Sequence, residues 1–142
     1  MFTIGEISKK VGVKVPTIRY YEKMGLLAAP SRSEGNQRRY SQTELERLGF
    51  IKHARDLGFS LQDIASLLEL SSSNAHDNCS AIDALASGHL AQVRNRMSLL
   101  AELEKELMRI VSGCQSGTVD TCYVIESLAH HELCLGSHAI QT

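Results

Sequence analysis

From Ile82 to Ile110 the chain carries a stripe that steps by threes and fours: Ile82, Ala86, His89, Val93, Met97, Leu100, Leu103, Leu107 and Ile110. Leu85, Leu90, Leu99 and Val111 widen it, and no proline interrupts it. Such spacing predicts one amphipathic helix over residues 80–112 with a coiled-coil seam. At roughly 1.5 Å per residue it is about 45 Å long. In a chain of 142 residues a helix of that length cannot bury its own stripe. It wants a partner helix, most simply from a second copy, which makes the chain a homodimer.

The rest of the sequence is read around that helix. The apolar fraction is 43% and the charged fraction 22%, the balance of a soluble globular protein. There is no apolar run of about 18 residues, so no membrane span is expected. The start, MFTIGEISKK, lacks the apolar core of a secretory signal, which points to the cytoplasm. Prolines stand only at Pro16 and Pro30 and tryptophan is absent, so the expected class is mainly α. The size excludes an enzyme on a large α/β scaffold. Charge is unevenly spread. Residues 1–60 hold eleven Lys and Arg against six Asp and Glu; residues 61–142 hold four against ten. A basic half beside an acidic half suggests one end that meets a polyanion and one with another task.

In the basic half, Thr3 and Glu6 form a capping box that opens a short helix ended by Gly12. Pro16 then sits in the first turn of a second helix, which stops at Gly25. Two short helices joined by a tight turn are a helix-turn-helix. Glu34-Gly35-Asn36 marks a turn between two short extended pieces, read as a β-hairpin wing. Ser41 with Glu44 caps a third helix, and Ser60 with Asp63 a fourth. The expected organisation is a winged helix-turn-helix domain at 1–70 and a polar linker at 71–79. A dimerisation helix follows at 80–112, then a loop, short helix and tail at 113–142.

The second helix of a helix-turn-helix enters the major groove of double-stranded DNA. Here it offers Lys14, Thr17, Arg19, Tyr20 and Lys23, and the wing adds Arg32, Asn36, Arg38, Arg39 and Tyr40. Arginine suits this work because its planar fork bonds phosphate or guanine. A solvated basic face around an ordinary helical hairpin has the same charge count and is the plainer alternative.

Cys79, Cys114, Cys122 and Cys134 all lie in the acidic half. Clustered cysteines in a reducing compartment read as metal or redox chemistry. Cys79 and Cys114 bracket the long helix, 35 residues apart, or roughly 50 Å along a straight helix. They cannot share a ligand within one chain. If two long helices pair antiparallel, Cys79 of one protomer meets Cys114 and Cys122 of its partner. Thiolates select soft or borderline ions: Cd(II), Pb(II), Hg(II), Zn(II) or Cu(I). His76, His130, His131 and Cys134 are further candidate ligands. The alternative is three unrelated cysteines packed as small hydrophobes.

The run Thr17-Ile18-Arg19-Tyr20-Tyr21-Glu22, with Gly25-Leu26-Leu27 and then Arg32, Gly35, Arg38 and Tyr40, resembles the MerR family of bacterial transcription regulators. The stretch from Phe50 to Leu61 resembles the same family's second helix pair, and the likeness runs from residue 1 to about 125. Lys14 departs from the pattern, since many members place a Ser or Thr cap there. The resemblance implies a winged-helix DNA-binding domain, a long antiparallel dimerisation helix and a C-terminal effector loop. It also implies action together with RNA polymerase on a promoter whose elements are badly spaced, corrected when metal makes the protein bend and untwist the DNA. Copper(I)-type members carry Ser where Cys79 stands. Zinc-type members have adjacent cysteines at the loop start and a His before the last one, where this chain has Gln115 and Val119. Three single cysteines look like the cadmium-, lead- and mercury-responsive members. The expected function is therefore a metal-responsive activator of efflux or detoxification genes. The rival readings are a thiol redox regulator working through Cys114 and Cys122, a Cu(I) sensor, or a metal-storage protein without a DNA role. No nucleophile–base pairing suggests an enzyme; His53 and His89 read as packing or surface residues.

Overall fold

Local chemistry starts and stops each helix of the N-terminal half. The Thr3 hydroxyl accepts from the Glu6 N–H at 3.1 Å, and the Glu6 carboxylate accepts the Thr3 N–H in return. Helix α1 (Ile4–Val11) begins there and ends at Gly12, whose φ of 78° lies in the left-handed region that favours glycine. Helix α2 (Val15–Lys23) has Pro16 in its first turn and is followed by Gly25 at φ 80°. After the wing strands β1 (Ser31–Arg32) and β2 (Arg38–Arg39), Ser41 and Glu44 make a second capping box for α3 (Gln42–Asp56). Ser60 accepts from the Asp63 N–H to open α4 (Leu61–Ser71). Then come the 33-residue α5 (Ser80–Ser112) and the short α6 (Tyr123–Ala129). This computed structural model describes residues 1–28, 30–32, 38–72, 79–113, 117–119 and 122–130.

The chain forms two compact units, residues 1–85 and 86–142. In the first, α1 packs on α2 and α3, and α3 on α4. Their inward faces make one core: Ile7, Val13, Ile18, Tyr21, Leu26, Leu27, Tyr40, Leu48, Ile51, Ala54, Ile64 and Leu68. Each large aliphatic among them contributes roughly 1.5–3 kcal/mol by leaving water. The strands run antiparallel, Ser31 opposite Arg39 and Arg32 opposite Arg38. Just beyond β2, Tyr40 exchanges two backbone hydrogen bonds with Phe2, at 2.7 and 2.8 Å. The wing's exit is thus tied to the chain's start.

Helix α5 spans the range expected from its periodicity. Along it Leu90, Met97, Leu100 and Leu107 stay about half exposed or more, while Ile82, His89, Val93 and Leu103 are half-buried. Ile110 departs from the expected seam. It is 4% exposed within the single chain. No helix of the described residues is long and apolar enough to cross a membrane.

Candidate nucleic-acid interface and thiol ligands

Helix α2 is divided by its packing. Ile18 and Tyr21 point into the core. Lys14, Arg19, Tyr20 and Lys23 are exposed, and Thr17 is half-buried. Four of the five residues expected to face DNA therefore stand clear on a helix anchored from behind. Lys14 occupies the N-cap without a side-chain hydrogen bond. In that first turn Pro16 has no N–H to satisfy, and the Thr17 and Ile18 N–H groups donate to the Lys14 carbonyl at 2.9 and 3.1 Å. The Tyr20 ring lies 6.4 Å from that of Tyr21, tilted by 53°, which ties an exposed aromatic to a buried one.

The wing brings Arg38 and Arg39 on β2 beside Arg32 on β1. Arg39 is half-buried, and Asn36 lies outside the described residues. Tyr40 corrects the expectation made for it. It is fully buried, and its hydroxyl donates to the Glu22 carboxylate on α2. A side chain with no exposed surface makes no DNA contact; the ring fills the core while its polar end reaches α2. Arg47 of α3 donates through Nε to the carbonyl of Leu26 at 2.6 Å, holding the chain where it leaves α2.

Neither Cys79 nor Cys122 is in a disulfide. Cys79 is exposed just before α5, and its carbonyl accepts the Asp83 N–H. Cys122 is half-buried at the N-cap of α6, where its side chain makes no capping bond. Thiols outside an apolar core have the chemistry for soft-ion ligation. Cys114, His76, His131 and Cys134 lie outside the described residues. His130 is exposed at the C-cap of α6. Among the described residues no three His, Cys, Asp or Glu side chains come together as a metal site.

One cluster beside Cys122 was invisible to sequence reasoning. Arg109 donates to the Tyr123 hydroxyl at 2.7 Å and to Glu106 at 3.1 Å. Glu106 is buried, and its hydrogen bond raises the Arg109 pKa above the already high ordinary value of an arginine. The Tyr123 ring lies against Gly113, so close that a methyl group there would stand 2.5 Å from a ring carbon. These contacts fasten the start of α6, and with it Cys122, to the end of α5. Glu106 and Arg109 share a helix face three apart, but nothing local names Tyr123 as their partner.

A model of the MerR HTH family regulatory proteins matches residues 2–71, and one described as MerR, DNA binding matches residues 45–110. The chain is 39% identical over 140 residues to the mercuric resistance operon regulatory protein of Serratia marcescens, covering 97% of this chain and 94% of that one. It is 37% identical over 131 residues to the HTH-type transcriptional regulator ZntR of Escherichia coli (strain K12), covering 90% of this chain and 92% of that one. The crystal structure of the transcription regulator PbrR691 from Ralstonia metallidurans CH34 in complex with lead(II) superposes with a TM-score of 0.78. That likeness has 41% identity and covers 90% of this chain and 99% of that one.

Proposed function

The chain belongs to the MerR family of helix-turn-helix transcription regulators, and from that premise we propose that it is a metal-responsive activator of heavy-metal efflux or detoxification genes. It is a DNA-binding regulator and not an enzyme. Residues 1–70 act as the DNA-binding domain, 71–79 as linker, 80–112 as the dimerisation helix and 113–142 as the metal-responsive end. Arg19, Tyr20 and Lys23 of α2 meet the major groove, with Lys14 at the helix start, and Arg32, Arg38 and Arg39 extend the footprint onto flanking phosphates. Two copies pair through the exposed stripe of α5 in antiparallel sense. The dimer works with RNA polymerase at the same promoter in the bacterial cytoplasm.

The observation that carries this reading is that the likeness to ZntR, to the mercuric resistance operon regulatory protein and to the lead(II)-bound PbrR691 runs on past the DNA-binding half, through α5. In that acidic half cysteines stand on either side of the long helix in the sequence. Cys114 and Cys122 of one protomer with Cys79 of its partner would hold the ion. A soft divalent metal supplies strong bonds to thiolate sulfur that hard ions do not. The chain's own part is to offer deprotonated sulfurs from two protomers, so that occupancy couples one protomer's linker to the other's loop. Coupling of that kind requires metal to bind one protein conformation better than the other. Among Cd(II), Pb(II), Hg(II) and Zn(II), the single cysteines favour the first three.

The test begins with a duplex selected from a random-sequence library by the wild-type dimer. Elemental analysis and competitive titration with Cd(II), Pb(II), Hg(II), Zn(II) and Cu(I) then rank the ions. Expected are one tight soft ion per site and metal-dependent unwinding of the selected duplex, read by a base-analogue fluorophore at its centre. Selection of no sequence overturns the DNA reading. Tight DNA binding with no response to any of the five ions overturns the metal reading.

A further inference from the structure

The residues on either side of the wing are pinned to the helices in two places, and one of them is chemically specific. Tyr40 stands between β2 and the N-cap of α3, fully buried, with its backbone paired to Phe2. Burial alone asks for no hydroxyl; phenylalanine would fill the same space. The Tyr40 hydroxyl instead donates to a carboxylate oxygen of Glu22, three residues after Arg19 and one before Lys23. We propose that Tyr40 and Glu22 are a positioning pair that sets the wing arginines at a fixed offset from the DNA-facing side chains of α2. The inference rests on the DNA-binding reading of α2 and is independent of the metal.

Three observations support it. First, the bond is charge-assisted and partly buried, the class of hydrogen bond that holds geometry most strongly. Second, its two ends belong to the two elements that must act together: Arg38 and Arg39 immediately precede Tyr40, and Arg19 and Lys23 flank Glu22. Third, Glu22 is an anion on a helix meant to approach phosphates. Its carboxylate is engaged by a fully buried tyrosine and Glu22 is half-buried, while Arg19 and Lys23 remain exposed. At the other end of the same segment, Arg47 braces the carbonyl of Leu26. Chain entry to the wing and exit from it are therefore both referenced to the helices.

Base-edge contacts demand placement to about half an ångström, whereas phosphate attraction tolerates more error. Loss of a positioning pair should therefore degrade discrimination between sequences more than attraction to DNA in general. The experiment measures fluorescence anisotropy on the selected duplex and on a scrambled duplex of equal length, across a salt series. Tyr40→Phe keeps the ring and removes the hydroxyl. The expected result is about tenfold weaker binding to the selected duplex, the scale of one charged hydrogen bond. The scrambled duplex should change by less than about threefold, with an unaltered salt slope. Glu22→Ala should lose at least as much as Tyr40→Phe, the double variant should be no worse than Glu22→Ala, and Glu22→Gln, which keeps an acceptor, should recover most of the lost affinity. Unchanged affinity in Tyr40→Phe overturns the proposal. So does a salt slope reduced by about one, because the loss would then be that of an arginine's phosphate contact and not of base-edge placement. If Tyr40→Phe melts below the assay temperature, the comparison of Glu22→Ala with Glu22→Gln decides alone. Equal losses in those two variants, or equal losses on both duplexes, refute positioning.

Discussion

Replacing Gly113 by alanine would test how Cys122 is held. An added Cβ would stand 2.5 and 2.6 Å from two carbons of the Tyr123 ring, with a third at 3.2 Å. Carbon atoms in contact prefer about 3.5–4.0 Å, so the ring must retreat by about 1 Å. Its hydroxyl is now 2.7 Å from Arg109, and a retreat of that size takes it outside hydrogen-bond range. The forced overlap costs about 1–3 kcal/mol and the lost bond about 1 kcal/mol. Reduced freedom of the unfolded chain returns about 0.4–1 kcal/mol. The net is about 1–3 kcal/mol against the docking of α6, with no effect expected on the core of residues 1–72. Hydrogen exchange resolved by residue is the assay. Amides of Tyr123–Ala129 should exchange roughly ten- to a hundredfold faster, while those of α3 keep their protection. Cd(II) affinity should fall in parallel, because Cys122 immediately precedes the released helix. In a Tyr123→Ala background there is no ring to strike, so Gly113→Ala should then cost under about 0.5 kcal/mol. Wild-type protection of α6 in Gly113→Ala, or an undiminished cost in the double variant, would refute the argument.

Other expectations concern the two proposed surfaces. Arg19→Ala and Arg38→Ala should each weaken binding to the selected duplex and lower the salt slope by about one if they meet phosphate, with metal affinity unchanged; a salt series of anisotropy titrations checks this. Leu100→Asp or Leu107→Asp places a charge in the exposed stripe of α5 and should dissociate the dimer, since burying an unpaired carboxylate costs several kcal/mol; a folded wild-type monomer in sedimentation at micromolar concentration would count decisively against pairing. Mixing Cys79→Ser chains with Cys114→Ser/Cys122→Ser chains should restore one complete site per heterodimer, measured by Cd(II) titration, although each variant homodimer lacks one. That affinity should fall as pH drops, because protons compete for the thiolates.

Much of the fold was legible because its signals are short-range. The capping boxes at Thr3 and Ser41 act over three residues, and both formed as expected. Gly12 and Gly25 end helices through backbone freedom that can be read one residue at a time. The extent of α5 followed from an apolar period uninterrupted by proline. The basic character of α2 was equally plain, since Arg19 and Lys23 fall on the face opposite Ile18 and Tyr21.

Tyr40, Ile110 and Tyr123 mark where such reading stops. Next to two wing arginines, Tyr40 carries the composition of a nucleic-acid contact. Whether its ring turns outward or inward depends on the space left by α1, α2 and α3, and on a carboxylate eighteen residues away. Ile110 continues the stripe of α5 with no change of period, yet it is already covered within the chain. The bond from Arg109 to Tyr123 spans fourteen residues, across a loop whose path no local propensity dictates. Capping, periodicity and charge act between near neighbours, so the elements, their ends and the charged face can be read from residues a few places apart. Which polar groups turn inward as fasteners is settled by packing, because burial and pairing depend on what the fold brings together from distant parts of the chain.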